Sequence, residues 1–154
     1  MNLLRRSFVN RLGALAALAV GAVFGLLKPG KALAAEWNKT AFESTTLAEA
    51  LKQMGGVGAT ESKDILIKAP DHAENGAAVQ MEITSNIQGT TSFAILIEKN
   101  PRPLLADIAF SNGAESYAFL RAKFAETSRI RVLARAGGKT YFATKEVGVT
   151  TSGC

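Results

Sequence analysis

From Asp64 to Val147 the chain is a succession of short apolar or alternating runs, each closed by turn residues. Asp64-Ile65-Leu66-Ile67-Lys68 is β-branched and ends before Pro70. Ala78-Val79-Gln80-Met81-Glu82-Ile83-Thr84 alternates with period two, the pattern of a strand with one buried face. Ser92-Phe93-Ala94-Ile95-Leu96-Ile97-Glu98 is more uniformly apolar and reads as a central strand. Further strands are expected over residues 104–110, 117–124, 128–136 and 139–147, with Gly137-Gly138 forming a tight hairpin between the last two. Lys99-Asn100-Pro101-Arg102-Pro103 is a turn or edge segment, because neither proline can donate to a ladder. About seven strands with regular turn signals predict a mainly β fold, an immunoglobulin-like antiparallel β-sandwich. A short amphipathic helix is expected ahead of it over residues 43–54. Leu47, Ala50, Leu51 and Met54 share one face there, with Ser44 or Thr45 as N-cap and Gly55-Gly56 as the stop.

This fold has no internal disulfide, because the chain contains one cysteine, so burial alone must hold the core. The cysteine is Cys154, preceded by Gly148, Val149, Thr150, Thr151, Ser152 and Gly153. A run without bulk or charge gives the thiol no core to pack into, and residues 148–154 are expected to be a flexible tail. Fully extended, seven residues reach roughly 23–25 Å. A thiolate is a strong nucleophile, so a scaffold, a tether and one sulfur together suit a covalent carrier. A leftover cysteine also suits an intermolecular disulfide between subunits, or no role at all.

The other end predicts where such a thiol works. Arg5-Arg6 precede sixteen uncharged residues, 12–27, rich in Ala and Gly, and Ala32-Leu33-Ala34 fits a small-residue cleavage box. Residues 1–34 therefore read as a twin-arginine signal peptide cleaved after Ala34, and the expected location is the periplasm. The apolar run is short of the roughly 20 residues a membrane span needs, so no stable membrane anchor is expected. Five of the 18 basic residues and none of the 13 acidic ones lie in residues 1–34. The remaining 120 residues carry 13 of each and are formally neutral, which leaves no basic stripe for nucleic acid. That length suits one domain, residues 35–147, followed by the arm.

The body offers little chemistry of its own. His72 is the one histidine, in a loop-like segment, and a lone histidine with a distant cysteine does not make a metal site. No metal, cofactor or catalytic residue is expected. Arg121, Lys123, Arg129, Arg131 and Arg135 read as a solvated sheet face, or as a positive approach for an anionic ligand or acidic partner. A thiol enzyme would need a base and an oxyanion site that nothing here marks. Ubiquitin-like sulfur carriers use a C-terminal Gly-Gly carboxylate in the cytosol, unlike this chain.

Several segments, in this order, resemble one family, SoxY, the sulfur-carrier subunit of the bacterial thiosulfate-oxidising Sox system. They are Ile67-Lys68-Ala69-Pro70, Ala73-Glu74-Asn75-Gly76, Glu98-Lys99-Asn100-Pro101-Arg102-Pro103, Arg121-Ala122-Lys123-Phe124-Ala125-Glu126-Thr127-Ser128, Lys145-Glu146-Val147 and Gly153-Cys154. The resemblance implies a non-catalytic carrier with Cys154 as the attachment point and residues 148–153 as its swinging arm. It implies several partners: an immunoglobulin-like SoxZ subunit, a c-type cytochrome that loads thiosulfate, a sulfate-releasing hydrolase and, where present, a sulfane dehydrogenase. The alternative is an exported immunoglobulin-like structural module linked through an intermolecular disulfide. The family tail usually reads Gly-Gly-Cys-Gly-Gly. Here Ser152 replaces one glycine and no glycine follows Cys154 in the sequence; either the tail is short or it continues, and a carboxylate on the cysteine itself would be expected to raise the thiol pKa.

Overall fold

The computed structural model describes residues 37–150. The expected signal peptide and residues 151–154 of the expected arm lie outside the described residues.

Two short helices come first, α1 (Lys39–Glu43) and α2 (Leu47–Gln53). The helix expected over residues 43–54 is α2, which begins four residues later than expected, and α1 precedes it as a separate element. Ser44 ends α1: its N–H donates to Ala41 O and its hydroxyl to Thr40 O at 2.9 Å. Thr46 then caps α2, its Oγ1 accepting from Glu49 N at 3.3 Å. The N-cap of α2 is therefore Thr46 and not the expected Ser44 or Thr45, because the Ser44 hydroxyl is already used to close α1. Beyond Met54, Gly55 takes a positive φ of 66°, the stop expected of it.

Nine strands follow: β1 (Thr60–Glu61), β2 (Ile65–Lys68), β3 (His72–Ala73), β4 (Val79–Ser85), β5 (Thr90–Ile97), β6 (Leu104–Ala109), β7 (Tyr117–Ala122), β8 (Ser128–Ala136) and β9 (Lys139–Val149). All seven expected strands are present. The larger sheet has the order β1-β9-β8-β5-β6, with β3 also on β9, and the smaller has the order β2-β4-β7. The β8–β9 hairpin turns at Gly137 and Gly138, with φ of 56° and 75°, the left-handed values that a two-residue turn matching strand twist requires. The two strands that sequence pattern does not reveal, β1 and β3, are two residues long and run parallel to β9, so the sandwich is not wholly antiparallel.

The sheets face each other across Ile65, Val79, Met81 and Ile83 on one side and Phe93, Ile95, Ile97, Ile130, Val132 and Val147 on the other. A second cluster lies on the opposite face of the larger sheet. Ala94, Leu96, Leu104 and Leu133 pack there against Ala41, Ala50 and Met54. β5 is therefore buried on both faces, by sheet and by helices, which is why its sequence does not alternate. The arginine cluster is not one solvated surface. Arg131 is 22 % exposed, with its Nε 2.7 Å from Glu98 Oε1 and its guanidinium 5.0 Å from the centre of the Phe142 ring. Arg135 Nη2 donates at 2.8 Å to the carbonyl of Met54, where a cation complements the α2 C-terminus. Trp37 is exposed and takes no part in the core.

Candidate functional site at the root of the arm

The arm starts later than its sequence suggests. β9 runs through Val149, so Gly148 and Val149, expected in the flexible arm, are strand residues, and the boundary at residue 147 moves outward. The next residue, Thr150, is tied as well: its N–H donates to Ala73 O at 3.0 Å. Thr151, Ser152, Gly153 and Cys154 lie outside the described residues. The reason for the shift is β3. It pairs His72 with Gly148 and Ala73 with Val149 in parallel, and Gly148 N donates to Asp71 O at 2.8 Å.

On the other edge the ladder with β8 ends at Ser128 opposite Val147. One residue before that end, the Thr127 hydroxyl takes over. Its Oγ1 accepts from Val149 N at 2.9 Å and donates to Val149 O at 3.4 Å. A side chain here substitutes for the missing strand, and both backbone groups of Val149 are satisfied.

The surrounding loops are held just as closely. Asn100 bridges the loop after β7, donating from Nδ2 to Lys123 O at 2.7 Å and accepting at Oδ1 from Ala125 N at 3.0 Å. Ser128, almost fully buried, accepts from Lys99 N at 3.0 Å. Phe124 N donates to Gly76 O at 2.8 Å. A Cβ on Gly76 would sit 2.7 Å from Phe124 O and 2.9 Å from Val149 Cγ1, so only glycine allows this approach. A Cβ on Gly148 would meet His72 Nδ1 at 2.6 Å. From β9, Lys145 Nζ reaches to 2.7 Å from Asp71 Oδ1. That hydrogen bond, and then the ammonium charge, hold the Asp71 carboxyl below its ordinary pKa.

Segments scattered from residue 67 to residue 147 in sequence thus converge on one end of the sandwich, around the last residues of β9. Two open clefts flank Val149 and Thr150 there. One, of about 460 Å³, lies between Gly76 and Phe124, with Lys123 and Glu74 in its wall. The other, of about 440 Å³, has Asp71, His72 and Glu146 in its wall. Thr127, Asn100 and Asp71 carry the anchorage; Thr127 and Asn100 fall in segments that resemble the family, but nothing in the sequence marks any of the three as an anchor. Asn100 and Asp71 flank prolines and read as turn residues, and Thr127 precedes a strand without a marker of its own. Among the described residues no three His, Cys, Asp or Glu side chains gather as a metal site would require. No described helix is long and apolar enough to cross a membrane.

A solved structure described as the sulfur carrier protein SoxY from Chlorobium limicola f thiosulfatophilum is 34 % identical, with a TM-score of 0.59, over 67 % of this chain and 98 % of that one. A second, an engineered protein, is 10 % identical with a TM-score of 0.39 over 56 % of this chain and 20 % of that one, too slight a likeness to carry an argument. No match is found among curated proteins. The family model described as sulfur oxidation protein SoxY matches residues 51–154, from inside α2 through the terminal cysteine, and the chain belongs to the SoxY family of sulfur-oxidation proteins.

Proposed function

We propose that this protein is a periplasmic, non-catalytic carrier that holds thiosulfate-derived sulfur covalently on Cys154 and presents it to soluble enzymes. The observation that carries the reading is the root of the arm. A rigid strand, held on both edges by Ala73 and Thr127, delivers the chain at Thr150, four residues before its one cysteine. A carrier needs this combination, because a firm base and a short tether keep the cargo at high local concentration for whichever partner docks.

In loading, the Cys154 thiolate and the outer sulfur of thiosulfate form an S–S bond. Two electrons leave, and an oxidising partner of the c-type cytochrome class accepts them. The product is a cysteine S-thiosulfonate. A hydrolase then adds water across the bond between sulfane sulfur and sulfonate, releasing sulfate and a proton and leaving a persulfide on Cys154. Covalent attachment keeps these intermediates from diffusing away, and sulfur–sulfur bonds exchange readily through thiolates. A sulfane dehydrogenase, where present, would oxidise the remaining sulfur further. An immunoglobulin-like SoxZ-type subunit is the expected companion, and residues 1–34 would export the folded pair on one twin-arginine signal.

Intact mass spectrometry of the protein from thiosulfate-grown cells tests the reading. Adducts containing sulfane sulfur are expected, removed by reductant and absent from Cys154→Ser. That variant is expected to unfold within about 0.5 kcal/mol of the parent, as a substitution that disturbs no core does. A persistent disulfide dimer without adducts would favour the structural-module alternative instead.

A further inference from the structure

The smaller sheet ends on one side in β7, and among the described residues no strand pairs with its outer edge. The ladder with β4 fixes which backbone groups are left over. Ser85 N donates to Ser116 O at 2.9 Å, and the register runs on through Thr84↔Tyr117, Glu82↔Phe119 and Gln80↔Arg121. Antiparallel pairs alternate between bonded and non-bonded, so Ala118, Leu120 and Ala122 turn their N–H and C=O groups to β4. Phe119 and Arg121 turn theirs to the open side. Tyr117 N donates to Glu115 O, which leaves the Tyr117 carbonyl facing the same way. The side chains of Tyr117, Phe119 and Arg121 stand on the uncovered face of the sheet, with Tyr117 45 % and Phe119 54 % exposed. Other open edges carry devices that discourage pairing: β2 exposes Lys68 and stops before Pro70, and β6 follows Pro101 and Pro103 and exposes Asp107. β7 has no proline in or beside it, and its one charge is Arg121.

We propose that β7 pairs antiparallel with β7 of a second copy of this chain, about a two-fold axis at Phe119. In that register Phe119 exchanges both backbone hydrogen bonds with its counterpart. Each Arg121 N–H donates to the Tyr117 carbonyl of the other copy, and the two small sheets become one. Charge complementarity selects a second copy over a foreign strand. Glu115 and Lys123 are exposed at opposite ends of β7, and neither takes part in an ion pair among the described residues. Pairing about Phe119 sets Glu115 opposite Lys123 of the second copy, and Lys123 opposite its Glu115. It also sets Arg121 opposite the Tyr117 ring, a cation–π pair, so no like charges face each other across the edge. A six-residue edge buries less than the roughly 1,200 Å² of a standard interface, so the dimer is expected to be weak, with a Kd of about 10–100 μM. The pairing uses nothing of Cys154 and stands apart from the carrier reading.

Sedimentation velocity over a range of concentrations tests it, with Cys154 kept reduced so that no disulfide dimer contributes. A reversible monomer–dimer equilibrium is expected. Glu115→Lys and Lys123→Glu should each weaken it about tenfold, because each sets like charges opposite one another twice, and the double exchange should restore the parent Kd. All three variants should melt with the parent, since both side chains are exposed. Amide exchange supplies an independent reading. The Phe119 and Arg121 amides should slow as concentration rises, while those of Ala118 and Leu120, already bonded to β4, should not change. A monomer at every concentration, or a dimer indifferent to both single charge variants, would overturn the proposal. A double exchange that failed to restore association would overturn the register about Phe119. Should the Phe119 and Arg121 amides slow only when an immunoglobulin-like subunit is added, the edge would take a foreign strand and the second copy would be the wrong occupant.

Discussion

Neighbouring residues Ile95 and Leu96 sit in different cores, and that difference has measurable consequences. Both are fully buried on β5, Ile95 between the two sheets and Leu96 beneath the helices. Replacing either with Ala removes three carbons. At about 0.8 kcal/mol per methylene the transfer loss is about 2.4 kcal/mol, and the unfilled cavity raises the total to about 3–4 kcal/mol. For a domain of this size that is a fall in Tm of about 10–16 °C, read by circular dichroism, with the urea m-value unchanged. The more diagnostic measurement is a double-mutant cycle with Met54→Ala, since Met54 belongs to the cluster of Leu96 and not to that of Ile95. Leu96 and Met54 share one cavity, so their costs should couple by about 0.5–3 kcal/mol, whereas Ile95 and Met54 should add within about 0.5 kcal/mol. A Leu96→Ala cost below about 1 kcal/mol, or equal coupling in both cycles, would refute the two-core description and with it the claim that the helices complete the larger sheet.

Gly76→Ala should destabilise by about 1–3 kcal/mol, because the new Cβ would press on the backbone carbonyl of Phe124, which cannot rotate aside. An unchanged denaturation midpoint would show that this turn yields easily. The Asp71 carboxyl should titrate below an unfolded aspartate, and Lys145→Met should return it toward the ordinary range, followed by NMR. Since its folded pKa is depressed, the contribution of this pair is present above the unfolded pKa and is lost as pH falls through the folded one. The Gly148 amide, which donates to the Asp71 carbonyl, should therefore lose protection in that acid window, and protection that survived it would argue that the backbone pairing with β3 suffices. Replacing Arg5 and Arg6 with Lys should leave precursor in the cytoplasm, while the exported form begins at Ala35. Normal periplasmic levels after the replacement would exclude the twin-arginine route.

The sequence by itself determined the class of the fold. Period-two alternation in residues 78–84, β-branched runs and the Gly137-Gly138 turn depend only on which side of a strand each residue faces and on local backbone freedom. Seven of the nine strands were accordingly legible. It also singled out Cys154, since one thiol on a featureless tail needs no tertiary context to be noticed, and the segments that converge at the arm root were visible as a family resemblance. Three things were decided only by tertiary structure. The start of α2 depended on which hydroxyl found which backbone partner, and three adjacent candidates are indistinguishable in one dimension. The apolar excess of β5 reflected a second covering layer, which periodicity cannot assign to a helix or a sheet. The root of the arm at Thr150, rather than at Gly148, was fixed by contacts from residues 71–73 and 127. Their carbonyls and hydroxyl are ordinary in the chain and acquire a role only when folding brings them to the end of β9, where the strand has run out of neighbours.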